Sequence, residues 1–460
     1  MNSTFFADLA LIKQDEQQWE AYNSSRSTVV IAGPGSGKTR VLTLKAMEIM
    51  SRYHFSQFGI ACLSFSRETV RELKKRLALY GYRNRSQDFV GTVHAFCISE
   101  ILGPFQHIYP EYNLPDPLRI APSKIINALY QQTLQELNYD PKRVSKIDLD
   151  RERYLSIAGQ SRFIAESIPE IAQAAKVYEG HLLKSGYIDF TQIAKVSTVM
   201  IQQKDYVRRS LEAKYPWMLI DEYQDLGKAL HEMVLALYGN TQTKIIAVGD
   251  MDQSIYGFQG AYPDFLEEVY NNDDFHSIRL RNNYRSNQDV ITASLAALNP
   301  SPPVPDYKAK LRSQETAEFT FIVCDAEMAQ QYKCVAEKII PKLLATEIPY
   351  SEIAIICGTN GEAIEMANVL RESEIPCYLV RWRFDNNTDI VHWLIDCAKW
   401  CEGSTVVSFD GLANFWSKLV ESHEADQFLW DEIRLRTYLL EVIETSKPKT
   451  DLHEWLLHMI

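Results

Sequence analysis

Over the first hundred residues, short apolar and β-branched runs alternate with longer stretches of helical periodicity. Thr28-Val-Val-Ile31 reads as a strand, enters a glycine-rich turn and gives way to a helix from Thr39 to about Tyr53. Ile60-Ala-Cys-Leu-Ser64 predicts a second strand before a helix over Glu68–Tyr80, and Phe89-Val90 a third before Gly91-Thr-Val-His-Ala-Phe96. That rhythm predicts an α/β fold, a parallel sheet joined by crossover helices. From about 101 to 185 the pattern turns helical and loop-rich, punctuated by Pro104, Pro110, Pro115 and Pro117, which predicts an inserted helical domain. Strand signals resume at Trp217-Met-Leu-Ile220 and Lys244–Val248, each ending in acidic residues. Asn299-Pro-Ser-Pro-Pro-Val-Pro305 predicts a stiff connector. Beyond it, strand-like runs at Phe319–Cys324, Ile353–Cys357 and Cys377–Val380, separated by helical stretches such as Ala363–Arg371, predict a second α/β domain. From about 385 the chain again reads as helix.

Composition narrows the class. A chain of 460 residues holds about three domains at roughly 150 residues each. With 46% hydrophobic and 23% charged residues it is of ordinary globular composition. The longest apolar runs, such as Val29–Ala32 and Ile353–Cys357, fall far short of the roughly 20 residues that span a membrane. The first residues, MNSTFFADLALIKQ, place Asp8 inside a short apolar stretch with no basic residue before it, unlike a signal peptide. Eight cysteines without a C-x-x-C pair suggest reduced thiols in a cytoplasm. His392, Cys397 and Cys401 lie at helical spacing, where cysteine serves as a small core residue more readily than as a metal ligand.

The net charge of −12 opposes non-specific polyanion binding by the whole surface. Locally, residues 67–85 set Arg67, Arg71, Lys74, Lys75, Arg76, Arg83 and Arg85 against only Glu68 and Glu72. A nucleic acid would meet that patch, although a solvated helix face accounts for the same charges.

The strongest chemical signal is Ala32-Gly33-Pro34-Gly35-Ser36-Gly37-Lys38-Thr39, which follows a strand and opens a helix. Its first position is Ala32 where the simple pattern has glycine. Glycines let successive N–H groups and the helix N-terminus face phosphates. Lys38 then reaches the β- and γ-phosphates of ATP, and Thr39 holds Mg²⁺. Such a loop needs an acidic strand end beside it, and Met218-Leu-Ile-Asp-Glu-Tyr-Gln-Asp225 supplies one. Asp221 suits the Mg²⁺ shell, and Glu222 suits orienting and deprotonating the attacking water. In Val248-Gly-Asp-Met-Asp-Gln-Ser-Ile-Tyr-Gly-Phe-Gln-Gly-Ala261, Gln253 can bond a γ-phosphate oxygen. Tyr256 and Phe258 then place two rings on one side of an extended segment, where they stack on bases or fill a core.

Taken in order, AGPGSGKTR, SFSRE, GTVHAF, LIDEYQD, VGDMDQSIYGFQGA and IRLRNNYRS resemble the motifs of the UvrD/Rep-like helicases of superfamily 1 over roughly residues 10–400. Tyr187-Ile-Asp-Phe190 is similar to the family's short DF element. The resemblance implies a 3′-to-5′ motor driven by Mg·ATP on single-stranded DNA or a 3′-tailed duplex, acting in the cytoplasm. It implies RecA-like P-loop domains with helical insertions. Residues 1–100 and 186–280 would form the ATP-binding motor domain around the 101–185 insertion. Residues 281–384 would begin a second RecA-like domain and 385–460 a second insertion. Gln18 matches the adenine-reading glutamine, with Gln17 a competing placement. Arg40 and Tyr284 match the pair that sandwiches adenine, and Arg285 the arginine that reaches the γ-phosphate. Phe65, Tyr256 and Phe258 match aromatic positions on a DNA track, and Thr92 and His94 a backbone-contacting loop.

Three departures from the family pattern stand out. Ser64-Phe-Ser-Arg-Glu68 replaces the usual T-F-T-N-K. Phe258 stands where tryptophan is common, and Gln259 where arginine is common. The family's later G-L-E and T-R-A stretches have no counterpart in the 460 residues, so an incomplete or diverged helicase is expected. An ATP-dependent switch that binds DNA or a partner protein of a repair or defence system without unwinding remains an alternative. So does a catalytically silent DNA-binding subunit.

Overall fold

The computed structural model describes residues 1–53, 56–156, 169–254, 262–298, 307–323, 328–379, 389–403, 407–423, 432–447, 451 and 454–455. The chain divides into two compact units, Met1–Phe319 and Thr320–Ile460.

Six parallel strands organise the first unit: β1 Thr28–Ala32, β2 Ile60–Ser64, β3 Phe89–Thr92, β4 Trp217–Asp221, β5 Lys244–Gly249 and β6 His276–Leu280, in the order β3-β2-β4-β5-β1-β6. Every residue of β1, β2 and β4 is buried, as a parallel sheet covered on both faces requires. Alternation sorts their side chains between two layers. Val29, Ile31, Ala61, Leu63, Met218 and Ile220 pack with Phe96, Ile193, Met233 and Leu266 on one face. Val30, Cys62, Leu219 and Ile246 pack on the other against α1 Ser3–Ile12, α2 Glu16–Asn23, α3 Lys38–Arg52 and α4 Arg67–Leu79.

Between β3 and β4 the chain makes a helical excursion. Helices Ser123–Leu137, Lys146–Leu155 and Pro169–Lys184 enclose their own core of Leu129, Leu134, Leu149, Ile171, Tyr178 and Leu182. The excursion is tied down where the chain returns. Arg153, 1% exposed, donates from both terminal nitrogens to Asp189 at 2.8 Å and from Nε to Glu179 at 3.1 Å. Asp189 also accepts from Gln192 N and so caps helix Phe190–Gln203.

The second unit departs from expectation. Helices Met328–Cys334, Ile340–Ala345 and Asn360–Glu372 gather around Tyr332, Ala336, Ile340, Met366 and Leu370. Helices Asp389–Cys401, Phe409–His423 and Glu432–Ser446 carry a separate core containing Trp393, Cys397, Leu412 and Ile443. The predicted strands at 319–323, 353–357 and 377–379 form no sheet among the described residues. A strand is held by a partner's ladder, and these segments have none there, so Phe321 is 90% and Ile356 94% exposed. Cys324, Val380 and the proline-rich connector lie outside the described residues.

Candidate nucleotide-binding site

The loops that carry the predicted chemistry leave the C-terminal ends of β1, β4 and β5, which are direct neighbours in the order β4-β5-β1. Ligands of open α/β sheets bind at such an edge. After β1 the chain turns through Gly35 at φ 70° and Gly37 at φ 84°, then enters α3 at Lys38. Both glycines take the left-handed backbone that side chains resist. Ser36 Oγ donates to Gly33 O at 2.7 Å and closes the turn.

A cleft of about 380 Å³ opens against this loop. Pro34, Gly35, Gly37, Lys38, Thr39, Arg40, Glu222, Gln253, Tyr284 and Arg285 all line it, together with Glu72 and Arg76 of α4, which sequence reasoning missed. Ala32 is buried at the end of β1, and Gly33 lies under the Tyr307 ring, where a Cβ would stand 2.8 Å from Cζ. Gln18 and Gln17 have different partners. Gln18, 2% exposed, donates from Nε2 to Ser36 O at 2.7 Å, whereas Gln17 Oε1 accepts from Arg281 N at 2.9 Å.

The segment bearing Tyr284 and Arg285 is zipped onto the loop. Tyr284 N donates to Gly35 O at 2.8 Å and Asn283 Nδ2 to Pro34 O at 2.7 Å. The Tyr284 hydroxyl donates to Asp15 Oδ2 at 2.6 Å, and Asp15 Oδ1 caps α2 by accepting from Gln17 N and Gln18 N. Burial alone would raise the Asp15 pKa, but these hydrogen bonds hold it below the usual carboxylate range. Arg40 Nε stands 3.7 Å from Asp8 Oδ1 of α1. Asp15 and Asn283 escaped the sequence reading because neither a helix cap nor an asparagine in a two-residue strand carries a sign in the sequence of the group it bonds.

Charge in the cleft is unevenly matched. Lys38 Nζ lies 3.3 Å from Glu222 Oε2, close enough for an ion pair, yet it makes no hydrogen bond. Asp221 is fully buried, and its Oδ2 also has no hydrogen-bond partner. Burial, then the neighbouring Glu222, push the Asp221 carboxyl up to about 7, with Lys38 pulling the other way. Asp225 is pushed up to about 7 by the same causes. The unsatisfied buried oxygen of Asp221 and the hydroxyl of Thr39 in the first turn of α3 are both oxygen donors, the type hard divalent cations such as Mg²⁺ prefer. Glu222 itself has a left-handed backbone, φ 54° and ψ 49°.

The described residues of the predicted DNA track, Phe65, Thr92 and His94, do not line this cleft. Phe65 and His94 meet edge to face with centroids 5.9 Å apart, and His94 meets Phe190 at 5.3 Å. Both line a small cavity with Tyr154 and Asp225. The His94 Nε2 is sealed from solvent without a hydrogen-bond partner, and burial lowers its pKa to about 4. Thr92 Oγ1 accepts from Ala95 N and caps the short helix Val93–Phe96. Tyr256, Phe258 and Gln259 fall outside the described residues. Within the basic patch, Arg85 is committed to Asp88 at 2.7 and 2.8 Å and to Tyr53 O, so it belongs to the fold.

Residues 14–274 match the UvrD/REP helicase N-terminal domain. The chain belongs to the UvrD/Rep helicase family. Residues 278–384 match the UvrD-like helicase C-terminal domain. It is 25% identical over 383 residues to the ATP-dependent DNA helicase PcrA of Leuconostoc citreum, covering 80% of this chain and 49% of that protein. It is 25% identical over 357 residues to the ATP-dependent DNA helicase Rep of Escherichia coli strain K12, covering 76% and 52%. Against DNA helicase II of the same organism it is 27% identical over 297 residues, covering 62% and 40%. The chain thus spans about half the length of the curated relatives it matches. As a UvrD/Rep family member it carries the α/β core with a parallel sheet expected from the motifs. No helix among the described residues is long and apolar enough to cross a membrane.

Proposed function

We propose that this chain carries the nucleotide-driven motor of a 3′-to-5′ DNA helicase, hydrolysing Mg·ATP to move along single-stranded DNA in the cytoplasm. The observation that carries this reading is the convergence, at the C-terminal ends of β1 and β4, of a Lys38 ammonium paired with Glu222 but making no hydrogen bond, and an unsatisfied buried Asp221 oxygen. Phosphates enter the loop between Gly33 and Thr39, where backbone N–H groups and the start of α3 favour negative charge. Lys38 exchanges its ion pair with Glu222 for the β- and γ-phosphates, freeing Glu222. Thr39 and Asp221 would hold Mg²⁺, which when bound would supply positive charge against the phosphate oxygens. Glu222 orients a water and takes its proton while the oxygen bonds to the γ-phosphorus, the bond to the β-bridging oxygen breaks, and ADP keeps that electron pair. Gln253 and Arg285 complete the γ-phosphate contacts. Gln18 reads the adenine edge, and Arg40 and Tyr284 enclose the ring.

On this reading residues 1–100 and 186–280 are the ATP-binding motor domain and 101–185 its helical insertion. Residues 281–384 begin the second motor domain and 385–460 the second insertion. Phe65, Thr92, His94, Tyr256 and Phe258 line the DNA track, with DNA and a repair or defence protein as partners.

Glu222→Gln tests the chemistry. Shape and metal ligation survive, so Mg·ATP binding persists while DNA-stimulated hydrolysis falls by about 10²–10⁴-fold. Unchanged turnover would remove Glu222 from the role of base. Unwinding of 5′-tailed in preference to 3′-tailed duplex would overturn the polarity.

A further inference from the structure

Gln224, 1% exposed, lies in the turn just after Glu222 and is given no role by the reading above. Its Nε2 donates to Glu222 Oε2 at 2.8 Å, and its Oε1 accepts from Asp250 N at 2.9 Å. Asp250 Oδ2 in turn accepts from Gln253 Nε2 at 2.6 Å. One buried carboxamide therefore joins the turn after β4 to the turn after β5. Chemistry fixes its orientation. Rotated by half a turn, its oxygen would face the Glu222 carboxylate and its NH₂ would face the Asp250 N–H, leaving two buried mismatches.

A second observation comes from the last residue of β5. A Cβ on Gly249 would stand 2.5 Å from Gln224 Oε1 and 2.8 Å from Leu266 Cδ2. Position 249 has no space for a side chain while Gln224 holds this pose.

We propose that Gln224 is a positioning residue: it holds the Glu222 carboxylate for the attacking water and ties it to the turn that carries Gln253. The proposal rests on the assignment of Glu222 as the base and Gln253 as the γ-phosphate contact. Glu222 Oε2 lies between two partners, Gln224 Nε2 at 2.8 Å and Lys38 Nζ at 3.3 Å. Gln224 keeps the carboxylate in place when Lys38 turns to the phosphates. A pull on Gln253 by a phosphate oxygen is felt at Asp250, whose N–H anchors Gln224. In this way the presence of the γ-phosphate reaches the base through three side chains.

The test uses the whole chain with single-stranded DNA in a single-turnover ATP hydrolysis assay, alongside the Kd for a fluorescent ATP analogue with Mg²⁺. Gln224→Met keeps the volume and removes both hydrogen bonds. It should slow hydrolysis on the order of 10²-fold through misplacement of the base, while the Kd stays within about twofold. Gly249→Ala should do the same with Gln224 intact, by displacing the carboxamide, and it serves if Gln224→Met fails to fold. A rate within about threefold of wild type in a folded variant overturns the proposal, as does a rate that falls only in step with lost ATP binding. Glu222→Gln measured in parallel separates the two layers. If Glu222→Gln is severe and Gln224→Met silent, this proposal alone fails. If the wild-type chain does not hydrolyse ATP or Glu222→Gln is silent, the reading of the site fails and this proposal falls with it.

Discussion

Replacing Arg153 by methionine should destabilise the first unit by about 3–5 kcal/mol, because it strands a buried charge. Arg153 is 1% exposed, contacts Asp189 through two 2.8 Å hydrogen bonds, and lies over the Tyr178 ring at 4.7 Å. Methionine keeps most of the apolar stem, so little of the loss comes from packing. Glu179 keeps Lys195 at 2.7 Å and stays compensated. Asp189 does not. Burial raises its pKa, and the charge and hydrogen bonds of Arg153, helped by the Gln192 N–H and Lys146, more than reverse that. Without the guanidinium, only the cap to Gln192 N and more distant charges remain to favour the ionised form. Adding Asp189→Asn to Arg153→Met should therefore recover part of the loss, since asparagine still caps helix Phe190–Gln203 and buries no charge. Coupling between the two sites should be on the order of 1–3 kcal/mol. Urea unfolding of the single and double variants, followed by near-UV circular dichroism, reads both quantities. A double variant no more stable than Arg153→Met, or a single variant within about 1 kcal/mol of wild type, refutes the argument that an uncompensated carboxylate dominates.

Two further outcomes follow from the site and its surroundings. At Gly35→Ala, with φ 70° and a Cβ only 2.6 Å from Arg285 Cβ, the segment bearing Tyr284 should be pushed off the loop. Backbone strain of about 1–2 kcal/mol adds to that overlap, so ATP-analogue binding should weaken by about tenfold or more, and wild-type affinity would contradict the stated geometry. His94 has a folded-state pKa lowered from 6.5 to about 4, so the unfolded chain binds the proton more tightly and stability falls as pH drops through that window. The loss is about 2 kcal/mol at pH 5 and at most about 3 kcal/mol below pH 4. His94→Phe keeps the ring contacts and should lose less stability than wild type between pH 7.5 and 5; parallel curves would show that His94 is not buried neutral.

Much of the core could be read from the chain because parallel strands buried on both faces are continuous apolar runs. Val29–Ile31 and Met218–Ile220 stand out for that reason. The edge strand β6 does not, since in His276–Leu280 only Ile278 and Leu280 are buried. The reverse error arose in the second unit. Ile353–Cys357 has strand composition, but composition cannot supply the neighbour that makes a strand. In the site, glycines and paired acids announce themselves by type and spacing. Gln224, Asp15 and Asn283 act through which backbone group they reach, and a polar residue in a loop carries no sign of its distant partner. The choice between Gln17 and Gln18 was of this kind: adjacent on α2, they point to different backbone groups.

The strand order has a consequence for how the chain is made. β2 finds β3 within a few dozen residues, but β1 pairs only with β5 and β6. From Thr28 to Lys244, where β5 begins, the ribosome must add 216 residues, which takes roughly 10–40 s at about 5–20 residues per second. Throughout that interval Val29 and Ile31 lack the ladder that will bury them, and the loop that follows has no wall to fold against. The helical excursion, whose buried core residues among those described lie between Ala121 and Leu182, can close while β1 waits. The first strand translated is thus among the last to be secured. A nascent chain stalled before residue 244 should expose β1 to chaperones and proteases while its excursion is already protected.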